Sequence, residues 1–231
     1  MFSVIFEVFP KEGRLDTYLD LAGRLKPLLE AVDGFIDNER FESQRRPGCL
    51  LSHSTWRDEK SVVRWRTTGE HHMMQRRGRG DVLRDYHLRV GEVTADTGAP
   101  QAAIHEQRFD ETEVGAAKLV TLTEAVPRTG TAFGRAEDLF AAIGFDAAQR
   151  GLADHDVFAS IYTPGKVALL ASWADARIGN SWSPKTHAGI ETLRHRKIRV
   201  IRDYGMFDRR EAPQFYPDAE GRKTTHSTPV R

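Results

Sequence analysis

The chain has 231 residues, 39% of them hydrophobic and 29% charged, with 34 basic and 33 acidic residues and a net charge of +1. This composition is that of a globular protein with one large or two small domains, and the near-neutral balance gives no field that would attract nucleic acid or a membrane surface. The single Cys49 cannot form an intrachain disulfide, and no segment reaches the roughly 18 apolar residues of a membrane helix. We therefore expect a cytoplasmic protein.

The first 94 residues predict the element order βαββαβ. Residues 2–9 are rich in β-branched and aromatic residues and stop at Pro10, as a strand does. Apolar residues then recur at helical spacing over residues 15–29. The further predicted elements are a hairpin of residues 35–41 and 49–56, a helical stretch over 60–77 broken at Gly69, and a strand over 82–93. This order is typical of a ferredoxin-like unit.

The second half of the chain predicts the same order. Its predicted elements are a strand over 119–126, a helix near 134–143, strands over 157–162 and 167–173, a helical stretch from 176 to about 194, and a strand over 198–207. The predicted organisation is therefore a first repeat (1–94), a linker (95–115), a second repeat (116–210) and a polar C-terminal tail (211–231).

The two halves align when the chain is shifted by 117 positions. Trp56 then falls on Trp173 and Trp65 on Trp182, and the strand at residues 2–10 falls on a second strand that also contains a glutamate and ends in proline. With one further residue of slip, VLRDY at 82–86 falls on VIRDY at 200–204. Three landmarks in the same order indicate a fused duplicate.

The duplication has a physical reason. A four-stranded antiparallel sheet with helices on one face leaves its other face bare, and a second sheet can cover that face. The predicted fold class is thus α+β, with two tandem ferredoxin-like βαββαβ repeats packed sheet to sheet as an intrachain pseudo-dimer. Further association into a homodimer is an open alternative.

The stretch that begins at Trp65 reads WRTTGEHHMMQRRGR and resembles the antibiotic biosynthesis monooxygenase superfamily. The residues that match its Trp-Arg, Glu-His and Gln-x-x-Gly-Arg pattern are Trp65, Arg66, Glu70, His71, Gln75, Gly78 and Arg79. The resemblance covers residues 1–94, and the second half matches more loosely, at Trp182 and His187. It implies a dimeric α+β barrel, which a tandem chain would build from itself. The resemblance is less specific for function than for fold, because members of the superfamily carry out several different reactions.

Two interpretations apply to the tryptophans. An aromatic residue where a strand enters a helix commonly seals the sheet against that helix. Alternatively, Trp65 or Trp182 lies on a cavity wall and stacks on a planar substrate. The first repeat keeps the fuller motif, so we expect any working site there.

The histidines are candidates for acid–base work. His71 and His72 are adjacent on a predicted helix, so their side chains diverge by roughly 100 degrees and one of them can face a cavity as a general base. His187 holds the equivalent place in the second repeat and is a candidate substrate-binding residue. We expect no metal site, because no His or Cys cluster has ligand spacing.

Polar residues within the apolar strands are further candidates. Glu7 and Glu124 occupy equivalent positions, and each is interpreted either as a carboxylate paired with Arg or Lys or as a proton acceptor with a raised pKa. In the second case Glu7 is catalytic and Glu124 binds substrate. His53 is a candidate substrate-binding residue whose strand parity leaves its direction open.

The resulting hypothesis is an oxygenase that needs no cofactor and acts with O₂ on a small planar phenol or quinol. The alternative is a non-catalytic member of the same fold that binds a small ligand or serves in a stress response. Haem is disfavoured as a substrate, since haem-degrading members of the superfamily carry an asparagine in the first strand and residues 2–9 contain none.

Overall fold

The computed structural model describes residues 1–99 and 104–213, and the side chains of His71, His72 and Met74 lie outside the described part. The strands are β1 (Phe2–Pro10), β2 (Phe35–Ser43), β3 (Leu50–Trp56), β4 (Leu83–Asp96), β5 (Leu119–Pro127), β6 (Leu152–Ser160), β7 (Val167–Trp173) and β8 (Ile190–Gly205). The helices are α1 (Leu15–Glu30), α2 (Glu59–Arg66), α3 (Gly69–Arg77), α4 (Ala136–Ile143) and α5 (Ala176–Ser181), with a π-helical turn (Gly78–Val82) after α3.

The eight strands close into one barrel in the order β1-β3-β2-β6-β7-β5-β8-β4. Each repeat contributes four adjacent antiparallel strands, β4-β1-β3-β2 and β8-β5-β7-β6. The two repeats join where β2 pairs with β6 and where β4 pairs with β8. The apolar inner faces of both repeats thereby share one core, and the predicted fold of two tandem ferredoxin-like repeats in an intrachain barrel is confirmed.

The strand register shows which residues of the two repeats are equivalent. Phe2 pairs with Trp56 as Leu119 pairs with Trp173, so the offset of 117 holds for the first three strands. In the last strand, however, Phe2 pairs with Glu92 and Leu119 with Arg199, which is an offset of 107. The predicted equivalence of VLRDY and VIRDY is therefore wrong, because VIRDY lies farther along β8 than VLRDY does along β4.

The shorter helical region of the second repeat explains this difference. The sequence predicts a helical stretch from 176 to about 194, but α5 ends at Ser181 and β8 already begins at Ile190. Pro184 disfavours helical backbone at the residue before it and cannot donate a helical hydrogen bond. The second repeat consequently has no described counterpart of α3, and its last strand starts eight residues earlier than predicted.

Two buried ion-pair clusters interrupt the apolar core inside the barrel. In the first repeat the Glu7 carboxylate pairs with Arg89 and, at 2.5 Å, with Arg46. In the second repeat the Glu124 carboxylate pairs with Arg196 and, at 2.5 Å, with Lys166. Of the two interpretations of these glutamates, pairing with basic residues is confirmed.

The same pairs decide the ionisation of the two carboxylates. Burial alone would raise the pKa of Glu7, but Arg89, His87 and Arg46 hold it well below its usual value. Burial alone would likewise raise the pKa of Glu124, but Arg196, His53 and Lys166 lower it. The alternative of a proton acceptor with a raised pKa is therefore wrong for both residues.

Aromatic residues seal each sheet against its helices, as one interpretation of the tryptophans predicts. Trp56 and Trp173 are fully buried on the outer sheet faces. Their indole N–H groups donate to Ser54 at 2.9 Å and to Thr121 at 3.0 Å. Both rings thus satisfy their one polar atom while packing as core.

The segment between the repeats is held against β8. The Glu211 carboxylate accepts hydrogen bonds from the Thr112 hydroxyl and from the backbone N–H groups of Glu113 and Asp203, each at 2.7 Å. The beginning of the predicted tail therefore fixes the predicted linker to the barrel. Residues 214–231 of that tail lie outside the described residues.

Candidate functional site

A cavity of about 220 Å³ lies in the first repeat, between the outer face of the sheet and the three helices α1, α2 and α3. Ligand pockets are usually somewhat larger, about 300–1,000 Å³, so the space suits a small molecule. We call this space the first-repeat cavity.

Five strands supply the floor of the first-repeat cavity. One row of paired residues crosses it, from Arg40 to Ser52, Phe6, Leu88 and Tyr204. Neighbouring strands lie about 4.8 Å apart, so these five side chains stand side by side across the floor. The floor is therefore polar at its β2 edge, apolar at its centre, and carries a tyrosine at its β8 edge.

The helices form the opposite walls. Leu21, Leu25 and Leu29 are spaced by four residues, which places them on one face of α1, and all three line the cavity. Helix α2 begins at an Asp58 cap, whose carboxylate accepts from the Ser61 backbone N–H at 2.8 Å, and it carries Trp65 to the cavity. The walls therefore extend the apolar centre of the floor.

The Gln-x-x-Gly-Arg pattern at the end of α3 also reaches the cavity. Gln75, Gly78 and Arg79 line it. The Arg79 guanidinium donates to the Tyr86 hydroxyl at 2.8 Å, and Arg209 donates to the same oxygen. The π-helical turn that follows α3 thus brings a guanidinium over a tyrosine of β4.

The second repeat completes the cavity of the first. Because β8 continues along β4, it places Arg202 and Tyr204 on the cavity wall. By the offset of 107, the corresponding residues of the first repeat are Ala95 and Thr97, which cannot supply the same groups. Burial and the neighbouring Tyr86 raise the pKa of Tyr204 to about 12, so its hydroxyl stays protonated and can donate a hydrogen bond.

An acceptor atom without a partner lies at the β2 edge of the floor. The Asn38 amide N–H donates to the backbone carbonyl of His53 at 2.8 Å, which fixes the orientation of the amide. Its Oδ1 atom is buried and finds no hydrogen-bond partner among the described residues. Buried polar atoms are rarely left unpaired, so this oxygen is available to a ligand or to water.

The charge on the cavity wall is strongly positive. The described lining includes five arginines and one carboxylate, that of Glu59, which is paired with Arg108 at 2.8 Å. The arginines are Arg40, Arg66, Arg79, Arg202 and Arg209. Cationic groups beside an apolar wall favour an anionic ligand.

Aromatic side chains fill the corresponding region of the second repeat. The ring of Trp182 lies 5.4 Å from that of Phe145 and 5.1 Å from that of His195, and Phe140 and Phe145 are 5.1 Å apart. Helix α4, which has 8 residues where α1 has 16, packs on this core through Leu139, Ala142 and Ile143. The open space found in the first repeat is thus occupied here.

The structure separates the residues that the sequence proposes as a site. Trp65 lines the first-repeat cavity. Glu7, His53 and Glu124 lie on the inner face of the barrel, on the other side of the sheet from the cavity. The side chains of His71 and His72 lie outside the described residues, although their helix α3 borders the cavity.

The two candidates of the second repeat also lie away from the cavity. Trp182 packs in the aromatic core of that repeat. His187 is exposed, and its Nδ1 atom accepts from the backbone N–H of Gly189 at 3.0 Å.

His53 yields a prediction about pH. Its imidazole bonds the Ser3 hydroxyl at 2.7 Å, and burial together with Arg196 lowers its pKa to about 4. An unfolded histidine takes up its proton near pH 6.5, so this site loses stability as the pH falls from about 6.5 to about 4. Between pH 7 and pH 4.5 the loss is on the order of 2 kcal/mol.

Urea unfolding at these two pH values, for the wild type and His53→Gln, measures this contribution. We expect the wild type to lose more stability on acidification than the variant, by the amount given. Titrating groups that do not interact with His53, including His87 with its raised pKa, are shared by both proteins and cancel in the comparison. Equal losses would contradict the role of His53.

Sequence reasoning missed most of the polar cavity lining. In the sequence, Arg202 and Tyr204 stand out only as part of the VIRDY match, and nothing draws attention to Arg40 or Asn38. Alternation along β2 shows that Asn38 and Arg40 share a face, which is the one available signal. That signal does not tell which face meets the helices.

Two further properties bear on the class of protein. Over residues 1–99 and 104–213, no helix combines the length and apolar character needed to cross a membrane. In the same part of the chain, no group of three or more His, Cys, Asp or Glu residues is placed to hold a metal ion.

Comparison with known proteins identifies the family. The sequence model of the antibiotic biosynthesis monooxygenase family matches residues 1–77. A protein of Pyricularia oryzae named jasmonate monooxygenase ABM is 45% identical over 225 residues, which cover 95% of this chain and all of that protein. The chain belongs to the antibiotic biosynthesis monooxygenase family. The resemblance noted in the sequence is therefore confirmed.

Similarity to solved structures concerns the fold alone. An aldoxime dehydratase superposes with a TM-score of 0.53 at 12% identity, over 87% of this chain and 81% of that one. A solved antibiotic biosynthesis monooxygenase aligns over 39% of this chain and 95% of that one, with a TM-score of 0.36 and 19% identity. In this family member, the first repeat contains the cavity and the motif that begins at Trp65.

Proposed function

We propose that the chain is a monooxygenase whose substrate is a small amphipathic anion bound in the first-repeat cavity. The observation that carries this proposal is the charge of the cavity wall, where five arginines face one carboxylate that is already paired. The apolar centre, formed by Val4, Phe6, Leu88 and the α1 leucines, suits the carbon skeleton of such a molecule.

The relative from Pyricularia oryzae suggests the substrate class. Its name assigns it jasmonate, a carboxylic acid with a cyclopentanone ring and an apolar chain. One carboxylate and a compact apolar body match the basic edge and apolar centre of the cavity. We therefore propose jasmonate or an acid of similar size and shape as the substrate of this chain.

The electron balance of the reaction sets what must accompany such a substrate. Insertion of one oxygen atom into a C–H bond follows RH + O₂ + 2e⁻ + 2H⁺ → ROH + H₂O. When such an acid is hydroxylated at one C–H bond and otherwise unchanged, it does not supply the two electrons itself, so we propose a dissociable donor of the reduced flavin or nicotinamide class. The protein would bind and orient the acid and exclude water, and the protonated Tyr204 hydroxyl would donate a hydrogen bond.

A second candidate substrate is the planar phenol or quinol that the sequence suggests, and Trp65 on the cavity wall favours it. When O₂ converts a CH₂ group conjugated with such a ring to a carbonyl, water is the other product and the substrate supplies all four electrons. No cofactor is then required. His71 or His72 would remove the substrate proton, and Trp65 would stack on the ring.

Oxygen consumption distinguishes these proposals. We expect uptake with jasmonate to depend on added reduced flavin or nicotinamide, with a hydroxylated acid as the product detected by mass spectrometry. Uptake with quinols and no added donor would favour the second candidate. As a control, Ser183→Phe changes an exposed residue outside the cavity and should keep the oxygen uptake of the wild type.

Variants of the histidines test their assignment as the proton acceptor. If the phenol or quinol reaction is observed, His71→Ala and His72→Ala should separate, with one of them losing most of the activity. Absence of uptake above background with every substrate and donor would contradict the oxygenase proposal. It would leave the non-catalytic, ligand-binding alternative, for which binding without turnover is the expected result.

A further inference from the structure

Arg40 lies at the β2 edge of the first-repeat cavity, 6% exposed and lining the cavity wall. Among the described residues its guanidinium contacts the Tyr162 hydroxyl and forms no ion pair with a carboxylate, and its Nε atom has no hydrogen-bond partner. We propose that Arg40 is the residue that binds the anionic group of the substrate. This inference rests on the proposed function, because it assigns the anion of that substrate to one side chain.

Two other arginines of the barrel serve as an internal comparison. Arg89 is 3% exposed and pairs with Glu7, and Arg196 is 1% exposed and pairs with Glu124, Asp37 and Asp96. Both point into the barrel. A buried charge is costly unless it is paired, and the protein follows this rule on the inner face. Arg40, on the cavity face, is the arginine of these three that lacks its carboxylate.

The contacts that hold Arg40 leave its charge in place. One guanidinium nitrogen donates to the hydroxyl of Tyr162, whose ring centre lies 5.8 Å from the guanidinium carbon. Arg40 also hydrogen-bonds the buried Tyr18, whose hydroxyl stays protonated because burial raises its pKa. Two neutral hydroxyls orient the guanidinium without neutralising it, so an incoming carboxylate can supply the missing negative charge.

The second repeat gives Arg40 a further comparison. Strand register makes Val157 the equivalent of Arg40, since Phe41 pairs with Leu51 as Phe158 pairs with Ala168. Val157 is buried in the apolar cluster that fills the corresponding space. The arginine is thus present in the repeat with a cavity and replaced by an apolar residue in the repeat without one.

Both repeats build this site. Tyr162 lies in the connection between β6 and β7 of the second repeat and reaches Arg40 where β2 pairs with β6. An anion held at Arg40 would therefore be positioned by a side chain of the first repeat and oriented by one of the second.

Calorimetric binding of jasmonate and methyl jasmonate to the full chain tests the assignment, since the ester keeps the apolar body and removes the charge. We expect the wild type to bind the acid about 10- to 100-fold more tightly than the ester. Arg40→Gln should reduce this ratio to near one while leaving the affinity for the ester unchanged. Arg40→Lys should retain part of the ratio, and Arg177→Gln, at a fully solvated side chain, should retain all of it.

Each other outcome has a defined consequence. If Arg40→Gln keeps the wild-type ratio, the Arg40 assignment is wrong, and a loss of the ratio in Arg209→Gln would place the anion at the β8 edge with the proposed function intact. Equal binding of acid and ester by the wild type would overturn both the Arg40 assignment and the anionic substrate. Should Arg40→Gln fail to fold, Tyr162→Phe replaces it, because Tyr162 is exposed. Loss of the Tyr162 hydroxyl should lower the acid-to-ester ratio several-fold. An unchanged ratio in that variant would overturn the Arg40 assignment.

Discussion

Replacing Glu7 with glutamine should lower the free energy of unfolding by about 3–5 kcal/mol. Glu7 is buried on the inner face of the barrel, and its carboxylate pairs with Arg89. Among the described residues, Arg89 has no second carboxylate partner; its other hydrogen bond goes to the hydroxyl of Ser172 at 2.7 Å. The variant would leave a guanidinium uncompensated inside the barrel, which is the costly case for a buried pair.

The equivalent substitution in the second repeat provides a matched comparison. Glu124→Gln removes the same group from the same strand position, but Arg196 keeps Asp96 at 3.3 Å and Asp37 at 3.2 Å. We therefore expect a smaller loss, about 1–2 kcal/mol. Glu30→Gln breaks an exposed pair with Lys26 and should change stability by less than about 0.5 kcal/mol.

Urea unfolding of the three variants at pH 7 measures this order. Equal effects of Glu7→Gln and Glu124→Gln would contradict the dependence on remaining partners. The same variants separate structure from catalysis, because Glu7 lies on the other side of the sheet from the cavity. Glu7→Gln should keep its affinity for a cavity ligand at temperatures where it is folded, and a selective loss of turnover would restore Glu7 as a catalytic candidate.

The fold could be predicted from the sequence because its strongest signals are local and occur twice. The strand that ends at Pro10 and the helical spacing over residues 15–29 give β1 and α1 almost to the residue. The paired tryptophans give the offset of the first three strands. One matched pentapeptide was misleading, because similar letters on the last strands do not fix their register against β1 and β5.

The candidate site was predictable only in part, and strand geometry explains the division. A motif with family resemblance leads to Trp65, Gln75 and Arg79, which do line the cavity. Glu7 and His53 attract attention because they interrupt apolar strands, yet such interruptions also occur where charges pair inside a barrel. Arg40 sits among other polar residues of β2, so only the register and the position of the helices reveal that it faces the cavity.

Filling the first-repeat cavity should abolish ligand binding while the protein stays folded. Ser52 is second in the floor row, between Arg40 and Phe6. Its equivalent in the second repeat, by the offset of 117, is Leu169, which is fully buried in the core that fills that repeat. The fold therefore already accommodates a large apolar side chain at this strand position.

Two substitutions should weaken ligand binding to different extents. Ser52→Leu copies the residue of the second repeat and should have the smaller effect. Ser52→Phe projects a ring into the 220 Å³ space and should weaken binding at least about 100-fold, more than 2.7 kcal/mol. Stability should hold or rise, since an apolar side chain on a strand fills open space instead of displacing packed atoms.

Calorimetry with jasmonate and urea unfolding, carried out on the same samples, measure both quantities. Ser183→Phe adds the same ring at an exposed position outside the cavity and should leave binding unchanged. Wild-type affinity in Ser52→Phe, with stability preserved, would mean that the ligand binds elsewhere on the molecule. Loss of binding together with unchanged or greater stability would assign the ligand to the first-repeat cavity, because a general defect in folding could not produce that combination.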